Sequence, residues 1–121
     1  MKVTELGKWL RTERLKRNLL LGDLADAIGV PSSNLSSIEH GRRKPSIELG
    51  RKIQIALSLT DEEATEMFRL ISNQITSFTL EPANDVEREA MLLFARYVSF
   101  LKPSDIDKIK DTLISGRSED V

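Results

Sequence analysis

The sequence predicts an all-α fold, with five short helices in one compact unit followed by two longer helices. Two observations carry that expectation. Apolar residues recur at helical spacing along nearly the whole chain, and no stretch alternates convincingly with period two. Residues that stop or cap helices stand at the ends of those stretches: Asn18, Gly29, Gly41, Ser46, Thr60, Asn84 and Pro103. At 121 residues the chain suits one domain, or a small domain with an accessory element.

The first helix covers about Thr4–Arg17, with Leu6, Trp9 and Leu10 on one stripe. Asn18 closes it, because Asn tolerates the left-handed conformation used past helix ends. A second helix, Leu21–Ile28, points Leu24, Ala25 and Ile28 inward. Gly29 breaks it, and Val30-Pro31 opens a third helix running to about His40, with Pro31 at its first position. Leu35 and Ile38 face inward. Gly41 ends this helix, and Arg42-Arg43-Lys44-Pro45 is a basic loop that Pro45 keeps from continuing as helix. Ser46 caps a fourth helix carrying Leu49, Ile53, Ala56 and Leu57.

Thr60-Asp61-Glu62-Glu63 reads as a capping box and starts a fifth helix with Ala64, Met67, Phe68 and Ile71 on one face. Residues 76–84 lose the period and contain Pro82, as a linker does. Asn84-Asp85-Val86-Glu87 begins a sixth helix with a broad stripe: Val86, Ala90, Leu93, Phe94, Tyr97, Val98 and Leu101. After Pro103-Ser104 a last helix aligns Ile106, Ile109, Leu113 and Ile114. The expected organisation is a domain at 1–75, a linker at 76–84, a helical element at 85–114 and a disordered tail at 115–121.

Composition excludes several function classes. With no Cys and a single His (His40), thiolate and His-cluster metal sites are out, and no metal or cofactor is expected. No apolar run approaches the roughly 18 residues of a membrane span, and no signal-peptide core is visible, so the expectation is a cytoplasmic chain with no membrane role. An enzyme is disfavoured. The acidic groups Asp61/Glu62/Glu63 and Asp105/Asp107 sit at helix starts, where they complement the helix dipole, and only His40 could act as an imidazole base. Trp9 and Phe68 fall on core stripes.

The net charge of −1 conceals an asymmetry. Residues 1–58 carry eleven basic and six acidic side chains, a balance of +5. Residues 59–121 carry seven basic and thirteen acidic ones, a balance of −6. Only the first half suits phosphate.

Within that half, Leu21–His40 reads as two short helices joined at a Gly turn, a helix-turn-helix whose second member can enter a DNA major groove. That member presents Ser32, Ser33, Asn34, Ser36 and Ser37 between its inward residues. Ser and Asn are weak helix formers, yet they are short hydrogen-bonding groups able to reach base edges, with Asn best suited to adenine. Arg42–Lys44 follows directly and is placed for phosphates, and His40 fits either phosphate contact or simple capping.

Residues 6–57 resemble the lambda-repressor-like (Xre/Cro-type) helix-turn-helix regulators. The matching text is Leu10-Arg11, Arg14, Arg17, then Leu24-Ala25, Ile28-Gly29-Val30, then Leu35-Ser36-Ser37-Ile38-Glu39-His40-Gly41-Arg42-Arg43-Lys44-Pro45-Ser46. The resemblance implies a five-helix domain reading operator DNA with its third helix. It implies base-reading or groove-edge positions at Ser32, Ser33, Asn34 and Ser37. Backbone contacts are implied at Arg17, Ser36, Arg42, Arg43 and Lys44, and an internal salt bridge between Arg14 and Glu39. Two features depart from the family pattern. Leu20-Leu21-Gly22 replaces the usual Ser cap and Gln of the second helix, and no Arg, Lys or Gln lies between Pro31 and Glu39, so readout leans on hydroxyls, water and DNA shape.

The last two helices resemble the carboxy-terminal helices of short phage-type and mobile-element repressors. The resemblance implies a homodimer on a palindromic operator, with Leu93, Phe94, Tyr97, Val98, Leu101, Ile106, Ile109 and Leu113 as dimerisation residues. Packing of these helices onto the first domain is the plain alternative. Some repressors of this build are inactivated by a co-encoded zinc metallopeptidase. The rival reading is an antitoxin that binds a toxin through its acidic half and autoregulates through its basic half. An activator with the same fold also fits the residues.

Overall fold

A computed structural model describes residues 2–116. The described residues are helical, with no strand among them: α1 (Glu5–Lys16), α2 (Leu21–Ile28), α3 (Ser32–Glu39), α4 (Ile47–Ala56), α5 (Asp61–Ser72), α6 (Asp85–Tyr97) and α7 (Pro103–Gly116). The chain divides into two compact units between Phe78 and Thr79.

In the first unit, local chemistry sets the helix ends. The Thr4 hydroxyl accepts from Gly7 N at the start of α1, and Asn18 turns the chain past its end at φ 57°. Gly29 makes the α2–α3 turn at φ +72°, a conformation that would strain any Cβ. Ser46 caps α4 through Leu49 N at 3.1 Å. Thr60 and Glu63 cap α5 reciprocally, with Glu63 N to the Thr60 hydroxyl at 3.1 Å and Thr60 N to Glu63 Oε1 at 2.9 Å.

The core is one cluster. Leu6 and Leu10 of α1, Leu24, Ala25 and Ile28 of α2, and Leu35 and Ile38 of α3 meet Leu49, Ile53 and Leu57. Met67, Leu70 and Ile71 of α5 close it. Every buried apolar side chain described lies between Leu6 and Ile71. Trp9 and Phe68 are partly buried against this cluster.

One detail of this unit differs from the sequence reading, and others add to it. Pro31 is the residue before α3, not its first helical residue, with extended backbone (φ −60°, ψ 143°) and a carbonyl that accepts from Asn34 N and Leu35 N. Leu20 occupies the capping position of α2 and has no side-chain acceptor to offer. Asp23 compensates from inside the helix, taking Leu20 N on Oδ2 at 2.8 Å. Partly exposed Gly22 has nothing within 4 Å of where a Cβ would stand.

The second unit is of another kind. Asn84 caps α6 through Glu87 N at 2.9 Å. The apolar stripe expected to run to Leu101 as one helix is interrupted, because α6 ends at Tyr97 and Val98–Phe100 tightens into a 3-10 turn. Pro103 then starts α7, and Asp105 Oδ2 accepts Lys102 N at 3.2 Å. Ser115 and Gly116, read from sequence as tail, belong to α7; residues 117–121 lie outside the described residues. No described residue of α6, the turn or α7 is buried.

Candidate nucleic-acid interface

The geometry of α3 follows from its period. With Leu35 and Ile38 buried in the core and Glu39 buried beside them, Ser33, Ser37 and His40 fall on the opposite side, flanked by Ser32 and Ser36. Ser32 and Ser33 are exposed, and Asn34, Ser36, Ser37 and His40 are half-buried. One polar, outward face therefore gathers Ser32, Ser33, Ser36 and Ser37, with Asn34 toward its edge.

Behind that face stands a brace. Glu39 is 2% exposed and takes Arg14 Nη2 on both carboxylate oxygens, at 3.3 and 3.2 Å. Arg11 Nε reaches Glu39 Oε1 from the same helix at 3.4 Å. The Glu39 carbonyl oxygen accepts from Thr4 N at 2.9 Å and from the Thr4 hydroxyl at 3.2 Å. A Cβ at Gly7 would fall on that same carbonyl, so α1 lies against the end of α3 with no room for a side chain. Backbone and ion pair together fix the angle at which α3 is offered to solvent.

The basic loop leaves from this end of α3. Arg42 N and Arg43 N donate to the Ser37 carbonyl at 2.8 and 3.2 Å, which folds the loop back onto the helix. Arg42, Arg43 and Lys44 are exposed, and none has an ion-pair partner among the described residues. Pro45 is buried beneath them.

Arg17, expected at the DNA backbone, has several partners within the unit. Its Nε donates to the Leu57 carbonyl at 3.0 Å, its Nη1 to the Glu13 carbonyl and to Glu13 Oε1, and its Nη2 to Glu63 Oε1 at 3.4 Å. The guanidinium ties α1 to the α4–α5 junction. Its charge also helps hold the Glu63 carboxyl below the ordinary range, after the leading contribution from the Thr60 backbone N–H and against the opposing effect of burial.

His40 is differently placed from an exposed phosphate donor. Its Nδ1 lies 2.8 Å from the Ser36 carbonyl oxygen, and its Nε2 faces Arg11 Nη2 at 3.4 Å. Arg11, Gly7, Thr4 and Asp23 had no assigned role in the sequence reading. Gly7 carried a signal: a Gly inside a helix costs about 1 kcal/mol against Ala unless packing requires it.

The residues expected to dimerise divide by exposure. Leu93, Phe94, Tyr97 and Leu113 are exposed, together with Val86 at 81% and Phe100 at 80%. Val98, Leu101, Ile106 and Ile109 are half-buried within their own unit. Among the described residues no group of three or more His, Cys, Asp or Glu is arranged to hold a metal ion, and no helix is long and apolar enough to cross a membrane.

Residues 10–63 match the model of the helix-turn-helix family, a span that runs from α1 through the start of α5 and includes α3 with its basic loop. No match was found among curated proteins or among solved structures. The family is one of DNA-binding regulators and not of enzymes. The match places a helix-turn-helix domain of the lambda-repressor-like (Xre) type in the amino-terminal unit, and that domain supports a DNA-binding transcriptional regulator.

Proposed function

We propose that the protein is a dimeric repressor of a phage, mobile-element or defence operon, reading a palindromic operator with α3 in the major groove. One observation carries the reading: α3 turns a face of small hydroxyls outward, braced from behind by Arg14–Glu39 and Gly7, with Arg42–Lys44 exposed at its end. Ser32, Ser33, Asn34 and Ser37 meet base edges, while Ser36, Arg42, Arg43 and Lys44 meet phosphates. A lone unit makes few phosphate contacts. Pairing two of them multiplies affinity through effective concentration.

The second unit supports the pairing. Its helices carry an apolar stripe, and none of its described residues is fully buried, which is expected of a surface completed by another chain. A second copy is the reading adopted. The same bare surface favours the antitoxin reading as runner-up, with a toxin as occupant, and a co-encoded zinc metallopeptidase would act by cutting this region away from the reader.

The decisive experiment titrates the protein against the DNA upstream of its own gene and against random duplex at several salt concentrations, with mass measured on the same sample. Asn34→Ala is expected to cost about 1–3 kcal/mol on the preferred site and to relax one base position. Arg42→Ala weakens all duplexes alike and flattens the salt slope by about 1. Equal loss on specific and random DNA for Asn34→Ala refutes its base-reading role. A monomeric mass for the free protein, turning dimeric only with a co-expressed partner, would favour the antitoxin.

A further inference from the structure

Arg11 stands on α1 one turn before Arg14, and its guanidinium reaches the far end of α3. It is held there by two long contacts, Nε to Glu39 Oε1 and Nη2 to His40 Nε2, each at 3.4 Å. The His40 ring is oriented by its other nitrogen, with Nδ1 2.8 Å from the Ser36 carbonyl oxygen. A carbonyl oxygen only accepts, so Nδ1 carries the hydrogen, and a contact from the donor Arg11 Nη2 calls for a lone pair on Nε2. In that form His40 cannot donate to a phosphate from Nε2. It serves as an acceptor that presents Arg11.

The charge at this point is unbalanced. Glu39 is already matched by Arg14, whose side chain is 10% exposed, whereas the Arg11 side chain is 45% exposed. Arg11 Nη1 has no hydrogen-bond partner among the described residues. His40 lies three, four and seven residues after Ser37, Ser36 and Ser33, on the same outward side of α3. Arg11 therefore stands at the carboxy-terminal edge of the reading face. The Arg42–Lys44 loop leaves from that same edge, folded onto the Ser37 carbonyl.

We propose that Arg11 is a further DNA-backbone contact, with His40 and Glu39 as the positioning residues that aim its guanidinium at a phosphate beside the carboxy-terminal end of α3. The inference rests on the reading of α3 as the DNA-recognition helix. A planar guanidinium suits the task, because its fork can hold Glu39 and His40 on one edge and donate to phosphate from the other.

The test uses the full chain, the duplex upstream of its own gene, a random duplex of equal length and a salt series. Arg11→Gln is expected to lower affinity about five- to tenfold on both duplexes at low salt and to flatten the salt slope by about 1. Arg69→Gln, which removes the same charge from α5 where Arg69 pairs with Glu66, is expected to leave the slope unchanged. Arg11→Lys keeps the slope but loses the fork, and His40→Phe keeps the ring but loses the acceptor. Each is expected to cost two- to fourfold on both duplexes.

Unchanged affinity and slope for Arg11→Gln overturn the proposal, as does a slope change equal to that of Arg69→Gln. If Arg11→Gln fails to fold, the two charge-keeping variants decide, and wild-type affinity in both is the refuting result. A wild-type protein that binds neither duplex would instead overturn the recognition role of α3 on which the inference stands. Normal wild-type binding with an indifferent Arg11 overturns the inference alone.

Discussion

The two units of the chain solve the problem of apolar surface in opposite ways. The first closes five helices around one aliphatic cluster and seals its few buried charges with partners, so that Glu13, Arg14 and Glu39 are each ion-paired. The second has good caps and a regular apolar stripe, but no described residue in it is buried. A short isolated helix is marginal in water without tertiary packing. The contrast teaches that capping and amphipathicity specify where helices are, while only a partner surface makes them stable. The reader carries its own partner surfaces; on the proposed dimer reading, a second copy supplies the one for the carboxy-terminal helices.

The largest expected effect strikes the reader. Glu39→Ala leaves Arg14 buried without its counter-charge and should cost about 3–5 kcal/mol in chemical denaturation of the first unit. A loss within experimental error would show that the brace is dispensable, and the contrast between sealed and unsealed units would weaken. Gly7→Ala comes next, at about 2 kcal/mol. The new methyl group meets the Glu39 backbone carbonyl, which cannot swing aside as a side chain would, and the gain in helix propensity offsets only part of the strain. A stabilised variant would mean that α1 and α3 separate more easily than their backbone contact implies.

Phe94→Glu tests the other side of the contrast. On the first unit it should change stability by less than about 0.5 kcal/mol, while the mass of the particle falls from dimer to monomer. A chain truncated after Phe78 should likewise melt cooperatively and bind DNA as a weak monomer. If that truncated chain still elutes as a dimer, the pairing surface lies in the reader.

The smallest effect is on pH. Because the folded state holds the Glu63 carboxyl below its ordinary range, its contribution is present above the unfolded-state value and is lost as pH falls through the folded one. Glu66 shifts the same way, through its hydrogen bond to Arg69. Acid should therefore loosen α5, and Glu63→Gln should flatten that part of the stability–pH curve of the first unit. An unchanged curve would remove Glu63 from the account.

Helix boundaries were legible in the sequence wherever the chemistry that sets them is local. Leu21–Ile28, closed by the adjoining Gly29, and the caps at Ser46, Thr60 and Asn84 are examples, because the residue that decides each boundary stands beside it. Legibility ended where a distant residue decides. Arg17 looks like any basic residue near a reading helix, yet its partners Leu57 and Glu63 lie 40 and 46 residues along the chain. Arg11 and His40 meet only once α1 crosses the end of α3. The break at Tyr97 is invisible to periodicity, since a 3-10 turn keeps apolar residues on nearly the same side.

The way α3 is mounted bears on how such a protein could be retargeted. Everything that holds the helix reaches it from the buried side or from its carboxy-terminal end: Leu35 and Ile38 in the core, Glu39 in its ion pairs, the Glu39 carbonyl against Gly7 and Thr4. Ser32, Ser33 and Ser37 lend their side chains to none of these contacts. Exchanging those three therefore alters what is presented to DNA without disturbing the angle of presentation, and new operator preferences are reachable by editing a surface whose mounting stays fixed.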